Sequence, residues 1–414
     1  MADRVRKVVA LGGAGALILA AAACSSSTNN STSNAAEGAA ASSGSASGGG
    51  LNILDIAAMS GPLAEVGKDQ AYGAKAAVAA INAAGGVNGK PVTLTFQDDA
   101  STGTQAVSVL DQALSSGSKP EVVFPGSTST ETVPLAPILM KYKIFTVTNS
   151  ATTTLSNTAN FPYLFGTIFP AEQMESMLAG ELVSKGFKKV AIVGADDQLG
   201  ESGTTALKSA LQAKGVSVSL ELVPDTSVDA TPQLEALKAD NPDVLVMDNF
   251  GPSAAAVIKA RTELGWSIPT YGSENVAADN LSQIATPAEI KGIILECLAW
   301  GVIGNPAQQT TAFKTFFKAV TALNGGKFTF GIEDEIVGWD NVVTAAAAAN
   351  KAHSTNAAAM QAAAESLTAA DAPLWVGPVP IGYDATNHYP DFAPADWVYV
   401  PAGPTVNGSI QPGS

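Results

Sequence analysis

From Leu51 onward the chain alternates short, continuous apolar runs with longer stretches in which apolar residues recur at helical spacing. LNILDIAA, PVTLTFQ, EVVF and KIFTVT read as strands, because brief β-rich runs bounded by polar or turn residues suit a buried sheet. KDQAYGAKAAVAAINAAGG, TQAVSVLDQALSSG and TVPLAPILMKY read as the intervening helices, the first ended by Gly85 and Gly86. This βαβαβαβ order predicts a parallel sheet covered on both faces. The alternation then starts afresh. YLFGTIF, KKVAIVGA, VSVSLELV, DVLVMDNF and IPTYGSE alternate with AEQMESMLAGELVSKG, SGTTALKSALQAKG, TPQLEALKAD and PSAAAVIKARTELG. Two such passes predict two similar α/β lobes, each a doubly wound parallel sheet. Residues 305–368 read as mainly helical, short strands return in PLWVGPVPIGYD and ADWVYVPA, and the Pro- and Gly-rich residues 401–414 read as a loose tail.

The first fifty residues follow another pattern. Arg4, Arg6 and Lys7 precede an apolar run from Val8 to Ala23, and small residues lead directly into Cys24. A basic head, a short apolar core and small residues at a cut site make a secretory signal, and the run is shorter than the ~20 residues of a membrane span. The junction resembles the lipobox of bacterial lipoproteins, which implies cleavage before Cys24 and lipid attachment there. Residues 25–50 are almost wholly Ser, Thr, Asn, Ala and Gly, too polar to fold and suited to a flexible tether. Gly12, Gly13 and Gly15 lie inside the signal before any strand, so they are not read as a nucleotide loop.

Composition narrows the chemistry further. Loss of residues 1–23 removes one acid and three basic side chains, moving the formal charge from −15 to −17. Such an acidic surface argues against nucleic acid as a partner. After Cys24 the one remaining thiol is Cys297, in GIILECLAW, which reads as buried and inert. His353 and His388 are the only histidines, which leaves no Cys/His zinc set and makes a nucleophilic triad hard to assemble. G-x-S-x-G, the Walker loop and H-E-x-x-H do not occur. The expectation is a protein that is not an enzyme and uses no cofactor or metal.

Strand ends carry small polar residues: GSTST after EVVFP, TNSATTT after KIFTV, and SEN after IPTYG. Open parallel sheets bind ligands beyond the carboxyl ends of their strands, so two facing lobes would bring these loops across one cleft. Ser and Thr hydroxyls near helix N-termini suit an anion, although the STST run reads equally as a helix cap.

The stretch SGPLAEVGKDQAYGAKAAVAAINAAGGVNGKPVTLTFQDDASTGTQAV resembles the N-terminal region of type I periplasmic binding proteins, above all the branched-chain amino-acid receptors of ABC transporters. The shared features are S-G-P-x-A-x-x-G after the first strand, a helix ending I-N-x-x-G-G-x-x-G, and the acidic pair that closes the next strand. The resemblance fades after about Ala260. It implies two α/β lobes joined by three crossovers and a hinge. The expected division is a leader over 1–23, an anchor cysteine and linker over 24–50, a first lobe from 51–168 and 300–372, and a second lobe with the tail from 169–299 and 373–414.

Carried over by position, the family's site places a ligand carboxylate on Ser129, Ser150 and Thr152, and a ligand ammonium on Glu274. The chain departs from the family at the side-chain pocket. Val66 stands where an aromatic residue is common in the first loop, Leu199 where a tyrosine is expected in a second-lobe loop, and Phe250 keeps an aromatic wall without a hydroxyl. Ser101 and Thr128 replace a cysteine pair found in some relatives. The function these residues imply is a monomeric, lipid-anchored receptor outside the cell membrane that closes on a branched-chain or other apolar amino acid and passes it to an ABC permease. The same fold binding amides, urea-like ligands or aromatic acids, or serving as a ligand sensor for a membrane receptor, is the alternative.

Overall fold

The structure is a computed structural model; it describes residues 50–117 and 119–413, without the side chains of Ala171, Gln198 and Leu199. The leader, Cys24 and the linker expected before Gly50 lie outside the described residues. The first lobe opens with β1 (Asn52–Ala57), α1 (Ala64–Ala83), β2 (Thr93–Asp98), α2 (Gly103–Ser115), β3 (Val122–Pro125), α3 (Ser129–Lys141), β4 (Phe145–Thr148) and β5 (Leu164–Gly166). The second runs through α4 (Ala171–Ser184), β6 (Lys189–Ala195), α5 (Gln198–Ala213), β7 (Ser217–Val223), α6 (Thr231–Ala239), β8 (Val244–Asp248), α7 (Pro252–Glu263), β9 (Thr270–Gly272), α8 (Glu274–Ala278), α9 (Leu281–Ile284) and β10 (Ile293–Leu298). The chain then builds α10 (Thr311–Asn324), α11 (Glu333–Ala352) and α12 (Ala357–Ala364), followed by β11 (Trp397–Pro401), β12 (Thr405–Val406) and β13 (Ser409–Ile410).

The first sheet has the order β2-β1-β3-β4-β5 and is parallel throughout. The second has the order β11-β10-β9-β8-β6-β7, parallel except for β11, which runs antiparallel to β10. This is the pair of doubly wound lobes that the apolar periodicity predicts. The fully buried strand patterns of β3, β4 and β8 follow from helices on both faces.

Helices α1 and α11 cover one face of the first sheet and touch backbone to backbone. Gly73 and Gly338 make this possible. A Cβ on Gly73 would lie 1.9 Å from Glu335 O, and one on Gly338 would lie 1.9 Å from Gln70 O. Trp339, fully buried below them, donates its indole N–H to Leu374 O at 2.7 Å.

Two parts of the chain settle differently from expectation. The first lobe does not end at residue 372: Trp375, Val376, Ile381, Tyr383 and Phe392 all join its core. The cause is polar as well as apolar. Asp340, inside α11, accepts from Val376 N at 3.0 Å and Gly377 N at 2.9 Å, and Tyr383 donates its hydroxyl to Gly166 O. The chain reaches the second sheet only after the turn Pro394–Asp396. The tail is not loose over its described length. β12 and β13 form a hairpin that buries Ile410 in the second lobe's core.

Three crossovers join the lobes, and they meet in an aromatic cluster. Phe169 follows β5, Trp300 follows β10, and Phe392 and Trp397 flank the return to β11. Phe169 lies 5.4 Å from Phe392 and 4.8 Å from Trp397, and Trp300 lies 5.9 Å from Phe392, centroid to centroid. Such pairs contribute about 0.5–1.5 kcal/mol each beyond the area they bury. They hold the crossovers together while leaving the strand ends free to face each other.

Candidate functional site

The strand order reverses at β1/β3 in the first lobe and at β6/β8 in the second, where α/β sheets open a crevice at their carboxyl ends. On the first-lobe side, β3 turns through Gly126 (φ +103°), where a Cβ would strike the Glu131 side chain. Thr128 then caps α3 reciprocally with Glu131: the Thr128 side chain accepts from backbone N–H groups of the first turn, and Glu131 accepts from Thr128 N at 2.9 Å. Thr128 therefore does the capping that the STST run suggests, and the Ser129 hydroxyl is left for other work. Ser150, beyond β4, donates its hydroxyl to Ser129 Oγ at 2.8 Å, and Tyr389 holds the Ser150 carbonyl at 3.0 Å. Thr152 is buried two residues later. Ser129 and Ser150 thus share one corner, while the Thr152 hydroxyl donates to Thr154 Oγ1 at 3.4 Å.

The second-lobe side is acidic. Ser273 and Asn275 flank Glu274, and both donate to Asp248 Oδ1, at 2.7 and 2.8 Å. Glu274, the first residue of α8, is 7 % exposed, and no hydrogen bond joins its side chain to any described residue. Burial, then the charges of Asp334 and Asp248, push its carboxyl up to about 8. An empty site at neutral pH therefore holds a protonated Glu274. Bringing an ammonium against it would favour the ionised form.

A further segment bridges the two sides. Residues 325–332, between α10 and α11, cross to the second lobe, where Gly331 N donates to Ala278 O and Asn280 Nδ2 donates to Phe328 O at 3.2 Å. Phe330 packs its ring 5.0 Å from that of Phe250. Gln70, on α1, donates from one amide nitrogen to Ser127 O at 3.1 Å and to Asp334 Oδ1 at 3.0 Å. Burial pushes the Asp334 carboxyl up to about 7, and Asp69 adds to the shift.

Val66 is buried, but in the first turn of α1 rather than in a loop, because α1 begins at Ala64. Leu199 likewise sits in the first turn of α5 and not in a loop: Asp197 starts the helix early by accepting from Gly200 N at 2.6 Å. A polar depression of about 300 Å³ lies elsewhere, lined by Lys189, Ser217, Asp240 and Pro242. It lies at the amino ends of β6 and β7, the end of a parallel sheet where ligands are not bound.

The sequence profile of the family described as "Periplasmic binding protein" matches residues 52–393. A curated relative is the "Leucine-, isoleucine-, valine-, threonine-, and alanine-binding protein" of Pseudomonas aeruginosa, 27 % identical over 233 residues, which are 56 % of this chain and 62 % of that one. The chain therefore spans less than two thirds of that relative's length. Among solved structures, an extracellular ligand-binding receptor from Rhodopseudomonas palustris HaA2 has a TM-score of 0.74 at 20 % identity, covering 88 % of this chain and 99 % of its own. A solute-binding protein of an ABC transporter from the same organism, in complex with p-hydroxybenzoic acid, has a TM-score of 0.72 at 20 % identity, covering 88 % and 96 %. These relatives and neighbours bind solutes, and the fold is theirs. With the profile running through both lobes and back to the third crossover, the chain belongs to the type I periplasmic binding proteins, in the family of the branched-chain amino-acid receptors.

Proposed function

We propose that the protein is an extracytoplasmic receptor that captures an α-amino acid with an apolar side chain and delivers it to an ABC permease. The observation that supports this most is the pairing of two chemically opposite poles. Ser129 and Ser150 present joined hydroxyls at one strand end, and Glu274 presents a buried, unbonded carboxyl at another. An α-amino acid carries the matching carboxylate and ammonium, and charge-assisted hydrogen bonds to both fix its orientation. Phe250 and Phe330 would line the side-chain end with Val66. Ligand binding favours closed lobes only to the extent that the ligand binds them better than open ones. The lipid anchor at Cys24 and its tether would keep the closed receptor within reach of a permease.

The p-hydroxybenzoic acid named for one structural neighbour supports a second reading, an aromatic acid against the Phe250–Phe330 pair. Calorimetric titration with leucine, isoleucine, valine and p-hydroxybenzoate separates the two. Binding of the amino acids, with about 2.7 kcal/mol of added stability at a hundredfold excess over Kd, is the expected result. Binding of the aromatic acid alone would overturn the amino-acid reading and remove Glu274 from its role.

A further inference from the structure

We propose that Asp334 is a second arm of the cation pole, so that a ligand's ammonium is gripped by carboxylates from both lobes and the cleft closes in preference around a cation. The inference rests on the amino-acid reading of the site and adds a residue, and a selection rule, to it.

The argument begins with position. Asp334 lies in the first turn of α11, which packs on α1 and belongs to the first lobe, whereas Glu274 opens α8 in the second. The crossing segment before α11 sets these two helix starts against each other, through Gly331 on Ala278, Asn280 on Phe328, and the Phe250–Phe330 contact. Asp334 is also held in register with the anion pole. The Gln70 amide nitrogen that donates to its Oδ1 donates equally to Ser127 O, two residues before Ser129. One side chain therefore ties together the parts of the first lobe that would meet the two ends of an amino acid.

Charge then supplies the selection. Glu274 is more than nine-tenths buried without a hydrogen bond to any described residue, and the charges acting on it most strongly, Asp334 and Asp248, are both negative. Asp248 is engaged by Ser273 and Asn275 within its own lobe. Glu333 on α11 and Glu296 on β10 also face Glu274 and add to the same sign. Across the lobe boundary Glu274 thus meets Glu333 and Asp334, and of the two it is Asp334 whose charge acts on it more strongly. Carboxylates brought together in this way repel unless one takes up a proton or a cation comes between them. An ammonium has three donors, enough to bond Glu274 and Asp334 at once and keep one for a further acceptor. A ligand with a carboxylate but no cation brings nothing to set between the two acids, so it closes the lobes only while a proton is kept there and loses out to an ammonium as pH rises.

The test compares wild type with Asp334→Asn by calorimetric titration of leucine and of its deaminated analogue, 4-methylpentanoate, with small-angle scattering of the empty proteins. Asn keeps the Gln70 hydrogen bond by presenting its amide oxygen and removes the charge. The expected result is a loss of at least about tenfold in leucine affinity, a smaller preference for leucine over 4-methylpentanoate, and a more compact empty protein. A purely structural role would weaken both ligands alike and leave the preference unchanged, which would overturn the inference. Leucine binding by the variant equal to wild type would overturn it too, with the receptor reading intact. Failure of wild type to bind any α-amino acid would instead overturn the receptor reading, and the inference with it.

Discussion

If Glu274 receives an ammonium, the affinity for leucine must depend on pH in a direction and to a degree the site already sets. In the empty cleft the Glu274 carboxyl titrates at about 8, held up by burial and by Asp334 and Asp248. In the complex it must be ionised. Binding below pH 8 therefore expels a proton, and each pH unit below that value costs about 1.4 kcal/mol, a factor of ten in Kd. From pH 8, where half the sites are already protonated, down to pH 6 the dissociation constant should rise about fiftyfold, or ~2.3 kcal/mol. Because Asp334 titrates at about 7, the two acids lose their protons as a pair, and the slope should steepen below pH 7 if both ionise on binding. Calorimetric titration in two buffers of different ionisation enthalpy counts the proton directly. Glu274→Gln should flatten the profile. A carboxylic acid without an amine should show the opposite trend, binding more tightly as Glu274 becomes protonated. A wild-type leucine affinity that stays level between pH 6 and 8, with no proton released, would refute the assignment of Glu274.

Two further outcomes concern stability. Asp340 titrates at about 8 in the fold, and burial also raises Glu175, Glu296, Glu335 and Asp279 well above the ordinary range. The folded state then holds protons that the unfolded chain gives up above pH ~4, so stability should fall as pH rises toward 8; a melting temperature higher at pH 8.5 than at pH 5.5 would contradict this. Gly73→Ala drives a methyl into the α11 backbone at Glu335 and should cost about 1–3 kcal/mol in chemical denaturation, whereas an unchanged midpoint would show that the two helices can part without loss.

The lobes were legible because a parallel sheet covered on both faces writes itself as short apolar runs separated by helical periods, and β1 to β9 lie where those runs fall. Ser129 and Glu274 were reachable because they follow strands directly, at the ends where such sheets bind. Phe330 and Asp334 were not. They belong to a segment more than fifty residues beyond Glu274, and its acids Glu333, Asp334 and Glu335 look like an ordinary favourable charge at a helix start. Only the fold shows that this helix opens toward the cleft. The limit of the first lobe was equally hidden, since the stretch after Pro373 has no periodicity of its own and is placed by Asp340, a buried carboxylate within α11. Ile410 shows the same thing at small scale: a single apolar residue among Pro and Gly pins the described tail to the second lobe.

The aromatic cluster at the crossovers has an optical consequence. Of the five tryptophans, Trp300 and Trp397 sit where the lobes join, each buried and each with an indole nitrogen that finds no acceptor among the described residues. Rotation of one lobe against the other changes the ring contacts around both, and with them the local field and water access that set indole emission. The protein therefore carries its own fluorescent gauge of hinge angle, readable by stopped flow without an attached dye.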